Sequence, residues 1–216
     1  MFMHSLPALI KDKLLSYGIK DLRPGQQKAL DAGLLDNKSM LICTPTASGK
    51  TIIAEMAFMD HIHNSKGKVV YIVPLKALAN EKYKDFKAKY SFKIALSIGD
   101  LDAVDSHLAD YDLIICTSEK LDSLLRHHAP WLSQVSLLVI DEIHLLNDTS
   151  RGPTLEIILT IIRRQLKHVQ IVGLSATIGN PEELASWLDA ALVLDDWRPV
   201  ELRKGVYHDS QIEFFS

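Results

Sequence analysis

Short apolar runs and longer amphipathic segments alternate along almost the whole chain. Most of the short runs are rich in Val, Ile and Leu and lack a two-residue alternation of apolar and polar positions, which is typical of strands buried on both faces. The runs are SMLICT (39–44), KVVYIVP (68–74), KIALSIG (93–99), DLIICTS (112–118), SLLVIDE (136–142), QIVGLSAT (170–177) and ALVLDD (191–196). They predict a sheet that is covered on both sides.

The segments between these runs carry apolar residues at helical spacing. One stripe comprises Leu75, Ala79, Tyr83, Phe86 and Tyr90, and a second follows Pro153 with Leu155, Ile158, Leu159, Ile162 and Leu166. Further helices are predicted over residues 51–62 and, before the first strand, roughly over 6–17 and 24–35. Strands that alternate with helices predict an α/β fold, an open and mostly parallel sheet with helices on both faces. Residues 197–216 break the alternation and predict an extended hairpin or tail.

Composition excludes several classes of protein. The 216 residues are 47% hydrophobic and 24% charged, as in an ordinary globular protein. No apolar run approaches the ~20 residues that span a bilayer, and the first residues lack a signal-peptide pattern, so no membrane association is expected. Cys43 and Cys116 each end an apolar run, which predicts free, buried thiols in a reducing cytoplasm. A net charge of −3 means that any nucleic acid would bind in a local groove.

The segment CTPTASGKT (43–51) lies between the first predicted strand and a predicted helix, the arrangement of a phosphate-binding loop. Gly49 permits close approach of the backbone, Lys50 has the charge to reach the β- and γ-phosphates, and Thr51 has a hydroxyl for Mg²⁺. Thr44 stands where the usual pattern has Gly or Ala, and the alternative is a βα turn with an incidental lysine. We assign nucleotide binding to Thr46, Ala47, Ser48, Gly49, Lys50 and Thr51.

The run LLVIDEIHLL (137–146) ends a predicted strand with two adjacent acids, which are costly there unless they meet a cation. Asp141, at the carboxyl end of the strand, is suited to hold Mg²⁺, in part through water, and Glu142 to deprotonate an attacking water. A solvated strand-to-loop turn is the alternative. Together with Lys50 and Thr51, Asp141 predicts a magnesium–nucleotide site.

Three further residues are assigned to the same region. Ser175 and Thr177 in GLSATIGN end another predicted strand, which would bring their hydroxyls beside the phosphates, although strand-terminal Ser and Thr are common. His144 follows the acidic pair and is expected to connect the nucleotide site to a neighbouring element. The histidine pairs at 61/63 and 127/128 lack an acidic or Cys companion, so they predict surface or packed side chains and no metal site.

These residues carry a family resemblance. PTASGKT, PLKALA, TSEKLDSLL, DEIH and SAT, in that order, resemble motifs I, Ia, Ib, II and III of the superfamily-two DExH helicases. The longer phrases EKLDSLLRHHAPWL, DEIHLLNDTSRGPTLE, SATIGNPEELASWL and WRPVELRKGVY resemble the Ski-like branch, and within it the archaeal DNA helicases that act at stalled replication forks. The resemblance extends from about Leu6 to Phe215.

The resemblance implies a first RecA-like, P-loop NTPase domain over residues 1–198, with the Q motif among the N-terminal helices over 1–36. Residues 199–216 would be a tail leading to a second RecA-like domain. Gln26 would read adenine, with Gln27 as the alternative, and Thr44 would be normal in this group. Contacts to nucleic acid are implied for Pro74, Leu75, Lys76, Gly99, Asp100, Thr117, Ser118 and Glu119.

The implied activity is 3′-to-5′ movement along single-stranded or forked DNA, driven by ATP and Mg²⁺, in the cytoplasm at the nucleoid. Motifs IV to VI and the winged-helix and ratchet domains would be partners in the same polypeptide but outside this chain. Because the family completes its transition state with arginines of the second domain, we expect negligible turnover by this chain alone. A Ski-like RNA helicase and a non-catalytic nucleotide-binding regulatory module remain as alternatives.

Overall fold

Each of the seven apolar runs forms a strand. The computed structural model describes residues 6–99, 105–201, 203, 205–208 and 211–215. The strands are β1 (Met40–Cys43), β2 (Lys68–Val73), β3 (Ile94–Ser97), β4 (Leu113–Thr117), β5 (Val135–Ile140), β6 (Gln170–Ser175), β7 (Ala191–Leu194), β8 (Gly205–His208) and β9 (Gln211–Phe214). The helices are α1 (Ala8–Ser16), α2 (Pro24–Asp31), α3 (Lys50–His63), α4 (Lys76–Lys89), α5 (Ser118–Arg126), α6 (Gly152–Gln165) and α7 (Pro181–Leu188).

The first seven strands form one parallel sheet in the order β3-β4-β2-β5-β6-β1-β7. The first strand of the chain therefore lies between two of the last, and β2 is the neighbour of β5. Because all the strands point the same way, the loops that follow them meet along one edge, which is where open α/β sheets bind ligands. Apart from the Q motif, which precedes β1, the chain's polar motifs follow strands, so the topology gathers them at this edge.

Helices cover both faces of the sheet, as the sequence predicts. On one face α1 to α4 pack over a core that includes Met40, Phe58 and Phe86. On the other face α5, α6 and α7 pack over Leu41, Ile158 and their neighbours. Consecutive residues of β1 thus belong to opposite cores, which explains why the strand is apolar without alternation.

One predicted helix ends several residues early in the structure, and one helix was not predicted from its spacing. α2 ends at Asp31 instead of near residue 35, because Gly33 has a left-handed φ of 99° that interrupts the helix before a 3₁₀ turn at Leu34–Asp36. Helical spacing did not reveal α7, which is only eight residues long. The last described residues include the antiparallel pair of β8 and β9.

The cysteines and His61 behave as predicted. Cys43 and Cys116 are free and buried, and burial raises the pKa of Cys116 to about 12. His61 is a packed core residue, 2% exposed, with Nδ1 2.9 Å from Ser136 Oγ and Nε2 2.7 Å from Gln170 Oε1. Burial lowers the pKa of His61, so the ring is held neutral. Within the described part of the chain, no helix has both the length and the apolar character to cross a bilayer.

Candidate active site

The loop between β1 and α3 is shaped by two left-handed residues. Ala47 has a φ of 64° and Gly49 a φ of 92°. A Cβ atom added to Gly49 would lie 2.5 Å from Nε2 of Gln26, so only glycine fits beside that side chain. The close approach of the Gly49 backbone to phosphate stays a prediction.

Lys50 points its amino group into this loop. Its Nζ donates to the carbonyl oxygens of Thr44 at 2.9 Å and Pro45 at 3.1 Å. Burial lowers the pKa of Lys50, while the nearby carboxylates of Glu142 and Asp141 act in the opposite direction. The loop thus holds a cation close to the two acids that the sequence assigned to the same site.

Thr44 has a structural role in the loop. Its hydroxyl lies 2.7 Å from the hydroxyl of Ser48, in a hydrogen bond that spans the loop. The Thr44 side chain is buried at the end of β1. A threonine in place of the usual Gly or Ala therefore adds a contact inside the loop.

Asp141 is fixed by its neighbours in the sheet. Its amide N donates to Ile72 O at 2.9 Å, which extends the pairing of β5 with β2 by one residue. Its Oδ2 accepts a hydrogen bond from the Tyr71 hydroxyl at 3.0 Å. Burial, and then the charge of Asp141, raise the pKa of Tyr71 well above its usual value, so Tyr71 keeps its proton and remains a donor.

Lys82 is a site residue that sequence reasoning missed. From the middle of α4, its Nζ donates to Thr51 Oγ1 at 2.9 Å and lies 3.5 Å from Asp141 Oδ2. One ammonium group thus joins the hydroxyl and the carboxylate that were assigned to Mg²⁺. The available signal was helical spacing, since Lys82 stands three residues after Ala79 and four before Phe86, both of which are buried.

The residues around Lys82 fit a magnesium ion. Thr51 Oγ1 and Asp141 Oδ2 are oxygen atoms that can act as metal ligands, and both already contact the Lys82 ammonium group. Mg²⁺ prefers oxygen ligands and is usually held by one or two carboxylates together with phosphates and water. Among the described residues, no group of three or more His, Cys, Asp or Glu side chains is arranged to hold a metal.

Glu142 occupies a sharp turn after β5. Its φ is 55°, a left-handed value that is uncommon for a residue with a side chain. The turn sends Ile143 into the core beneath β6, where a Cβ atom on Gly173 would lie 2.9 Å from Ile143 Cδ1. Gly173 of the GLSAT motif therefore makes room for the DEIH turn, a relation that neither motif reveals alone.

His144 and Ser175 lie near the acids and the loop, and Thr177 lies further out. His144 Nδ1 is 3.3 Å from Glu142 Oε2. Ser175 is fully buried opposite Cys43, and its carbonyl accepts from Thr44 N at 3.2 Å. The Ser175 hydroxyl faces the Cys43 thiol, whose pKa it lowers, whereas Thr177 is exposed in a cleft beside Cys43.

The Q-motif side chains support the loop. Gln26 is 3% exposed; its Oε1 accepts from Arg23 N at 2.9 Å and its Nε2 donates to Gly49 O at 3.1 Å. Arg23 Nη1 donates to Ala47 O at 2.5 Å. The alternative reader, Gln27, bonds Asp31 Oδ1 at 2.8 Å. To read adenine, Gln26 must exchange one of these bonds, and that role stays a prediction.

The segment after β7 lies beside the loop, a placement that the sequence did not indicate. The Arg23 guanidinium stands 5.3 Å from the ring centroid of Trp197. Lys28 of α2 donates to Leu194 O at 2.9 Å, and Trp197 N donates to Asp195 Oδ1 at 2.9 Å. Trp197 thereby forms part of the surroundings of the loop through Arg23.

The residues assigned to nucleic acid follow β2, β3 and β4, which are adjacent in the sheet. Leu75, Lys76, Gly99 and Glu119 are exposed, Pro74 is half-buried, and Thr117 and Ser118 are buried. Thr117 Oγ1 accepts from Lys120 N at 3.4 Å and caps the start of α5. The helices α4 and α5 both begin at this edge. Asp100 lies outside the described residues.

The DEAD/DEAH box helicase family matches residues 23–184. The chain belongs to this family. The match extends over more than half of the chain and contains the phosphate-binding loop, the acidic pair and Ser175. The resemblance inferred from the motifs is confirmed.

Curated relatives from archaea extend the comparison. The chain is 57% identical to the ATP-dependent DNA helicase Hel308 of Methanocaldococcus jannaschii, over 96% of this chain and 18% of that protein. It is 54% identical to Hel308 of Methanococcus vannielii, over 92% of this chain and 27% of that protein. It is 53% identical to Hel308 of Pyrococcus abyssi, over 92% of this chain and 28% of that protein. The chain spans between 18% and 28% of the length of these three relatives.

A solved helicase structure has the same fold. The crystal structure of the DUF1998 helicase MrfA bound to DNA and AMPPNP matches with a TM-score of 0.76 and 25% identity, over 90% of this chain and 30% of that chain. The RecA-like fold predicted from the sequence is therefore confirmed. Use of a nucleotide follows from membership of the DEAD/DEAH box helicase family.

Proposed function

We propose that this chain is the ATP-binding motor domain of an ATP-dependent DNA helicase. The observation that carries the proposal is the convergence of Lys50, Thr51 and Asp141 at one edge of the sheet, with Lys82 joining the last two. Residues 1–198 form the motor domain, and residues 199–216 lead towards a second RecA-like domain.

In this proposal Lys50 leaves its two carbonyl partners to bind the β- and γ-phosphates. Thr51 and Asp141 hold Mg²⁺, which neutralises phosphate charge when bound. Glu142 accepts the proton of the attacking water; its position next to Asp141 and its 38% exposed side chain support that role. His144, in contact with Glu142, and Ser175, beneath the loop, link the nucleotide to the rest of the domain, and Thr177 extends this link to the surface.

Single-stranded DNA is proposed to lie along the carboxyl ends of β3, β4 and β2. Two features support this path, namely the exposed Lys76 and the first turns of α4 and α5, whose backbone N–H groups and positive dipole ends favour phosphate. Pro74, Leu75 and Gly99 line the same edge together with Thr117, Ser118 and Glu119. The relatives' name supports DNA, and we extend the proposal to 3′-to-5′ movement at forks in the cytoplasm.

The RNA-helicase alternative shares the whole nucleotide site, so only the nucleic acid distinguishes it. Stimulation of turnover by RNA but not by DNA, in the polypeptide extended to the length of its relatives, would favour it. A non-catalytic regulatory module is disfavoured because Lys50, Thr51, Asp141 and Glu142 are all present, and a site without catalysis needs no proton acceptor. We further propose that the second RecA-like domain supplies arginines, so that this chain alone turns over ATP very slowly.

Calorimetry of Mg²⁺–ATP binding to the chain tests the proposal. Lys50→Ala removes the cation at the phosphates and should weaken binding by roughly tenfold to a hundredfold, the value of a charged hydrogen bond. Lys84→Ala, on the exposed side of α4, is the matched control and should bind like the wild type. Equal binding by wild type and Lys50→Ala would contradict the site. Rapid turnover by the chain alone would contradict its dependence on a second domain.

A further inference from the structure

Lys82 contacts the two oxygen atoms that are proposed to bind magnesium. Its Nζ is 2.9 Å from Thr51 Oγ1 and 3.5 Å from Asp141 Oδ2, and it lies 5.8 Å from the centroid of the Tyr71 ring. The side chains of Lys82 and Asp141 are only 18% and 14% exposed. The contact is therefore a largely enclosed ion pair at the centre of the candidate site.

We propose that Lys82 is a built-in counter-cation, whose ammonium group occupies the magnesium position until Mg²⁺ and nucleotide displace it. This inference rests on the proposed function, since it requires Thr51 and Asp141 to be the metal ligands. It assigns to α4 a role that none of the helicase motifs in the sequence indicates.

The enclosed carboxylate explains why such a cation is needed. A carboxylate removed from water is costly without a partner of opposite charge. Asp141 has one neutral donor, the Tyr71 hydroxyl, and it lies next to the second acid, Glu142. Lys50 is turned towards the carbonyls of Thr44 and Pro45. Lys82 is thus the cation in direct contact with Asp141 among the ion pairs of the described residues.

Magnesium and the ammonium group would compete for the same two oxygens. Mg²⁺ held by Thr51 Oγ1 and, directly or through water, by Asp141 Oδ2 would need the contacts that Nζ now makes at 2.9 and 3.5 Å. Two cations competing for the same pair of oxygens also repel each other. The lysine stem has four rotatable bonds, which allow the group to move towards solvent while α4 stays in place.

The displacement raises the Mg²⁺ concentration that nucleotide binding requires. Each binding event must first break the contacts of Lys82, so the apparent affinity for Mg²⁺ is lower than the oxygen ligands alone would give. In return, the domain without nucleotide keeps Asp141 neutralised. Removal of the ammonium group should therefore have opposite effects on the two states.

The experiment compares Lys82→Met, which keeps most of the stem and removes the charge, with Lys84→Met as the matched control on the exposed side of α4. The chain is titrated with Mg²⁺ at a fixed concentration of a fluorescent ATP analogue, and thermal unfolding is followed without Mg²⁺ or nucleotide. We expect Lys82→Met to lower the Mg²⁺ concentration for half-maximal binding by roughly three- to thirtyfold. It should also lower the melting temperature of the nucleotide-free chain, and Lys84→Met should change neither.

An unchanged or raised Mg²⁺ midpoint in Lys82→Met would overturn the proposal. An unchanged midpoint would mean that Lys82 does not affect nucleotide binding, and a raised midpoint would mean that Lys82 contributes to it. Lys82→Gln repeats the measurement with a polar side chain, in case the methionine variant unfolds. Lys50→Ala separates the two proposals. If Lys50→Ala weakens nucleotide binding while Lys82→Met leaves the Mg²⁺ midpoint unchanged, the counter-cation role of Lys82 is wrong but the nucleotide site is supported. If Lys50→Ala binds nucleotide normally, the proposed nucleotide site itself is wrong.

Discussion

The carboxyl edge of the sheet has two halves that are built differently. In the nucleotide half, after β1, β5 and β6, polar side chains such as Lys50, Gln26 and Asp141 are held by hydrogen bonds within the protein. In the nucleic-acid half, after β2, β3 and β4, four of the seven described residues assigned to nucleic acid are exposed. A small ligand is bound best by a preorganised cage, whereas a polymer that moves needs an open surface with replaceable contacts.

The halves meet where β2 pairs with β5. Tyr71 of β2 donates to Asp141, which follows β5, and Lys82 reaches the same carboxylate from the helix that follows β2. Pro74 and Ser118 line a small cavity together with Asp141 and Glu142. A structural change in either half can therefore affect the other half through direct contacts.

Glu142→Gln is expected to have the largest effect, and to impair the nucleotide half while leaving the nucleic-acid half unchanged. This substitution keeps the shape of the side chain but removes the proton acceptor, so hydrolysis should fall by roughly 10²–10⁴-fold while ATP and DNA binding persist. Turnover is measured in the polypeptide extended to the length of its relatives. Glu81→Gln, exposed on α4, is the matched control. Wild-type turnover in Glu142→Gln would show that another group accepts the proton.

A smaller effect is expected from Lys76→Ala in the nucleic-acid half. Loss of one phosphate contact should weaken binding to single-stranded DNA a few-fold and reduce the slope of log affinity against log salt by about 0.7–1. The affinity for Mg²⁺–ATP should not change. Fluorescence anisotropy at several salt concentrations makes the measurement, with Lys84→Ala as the control. A slope equal to that of wild type would remove Lys76 from the DNA path.

The smallest effect concerns the two cysteines, since each half of the edge contains one. Burial raises the pKa of Cys116 to about 12 and also raises that of Cys43, although the Ser175 hydroxyl and Lys50 lower the latter. An unfolded thiol ionises near pH ~8.5, so above that pH the unfolded chain binds fewer protons than the folded chain and stability falls as pH rises. Cys116→Ala should therefore reduce the fall in unfolding free energy between about pH 9 and pH 10 by about 1 kcal/mol.

Urea unfolding in reducing buffer at several pH values measures this effect. Cys43→Ala is the matched variant and should flatten the pH dependence less than Cys116→Ala, because its thiol has partners that favour ionisation. An equal slope in wild type and Cys116→Ala would mean that the Cys116 thiol ionises freely in the folded state.

The strands and the main motifs could be predicted because each depends on neighbours in sequence. The apolar runs of β1 to β7 reflect burial on both faces, and Gly-Lys-Thr between a strand and a helix is a local arrangement. The acidic pair could be placed because it directly follows β5. These features do not depend on which elements become neighbours in space.

The missed residues depend on contacts between distant elements. Lys82 belongs to the site only because α4 packs over β2 and its neighbours, which brings Nζ to Thr51 and Asp141. Trp197 belongs to it only because the segment after β7 reaches Arg23. Gln26 was assigned to adenine through the resemblance, and no sequence pattern shows that its amide bonds Gly49. The strand order, with β2 next to β5, is the information that the sequence pattern lacks.

The position of β1 has a consequence for the order in which the protein assembles during synthesis. Its partners are β6 and β7, so Cys43 pairs with Ser175 and Leu194. At typical rates of translation, on the order of ten seconds separate the synthesis of β1 from that of β6. Until then the phosphate-binding loop lacks the strand that supports it. The ribosome thus makes the nucleotide-binding residues early, but their site is complete only after β6 has been made, so ATP can stabilise this domain only once most of its sheet exists.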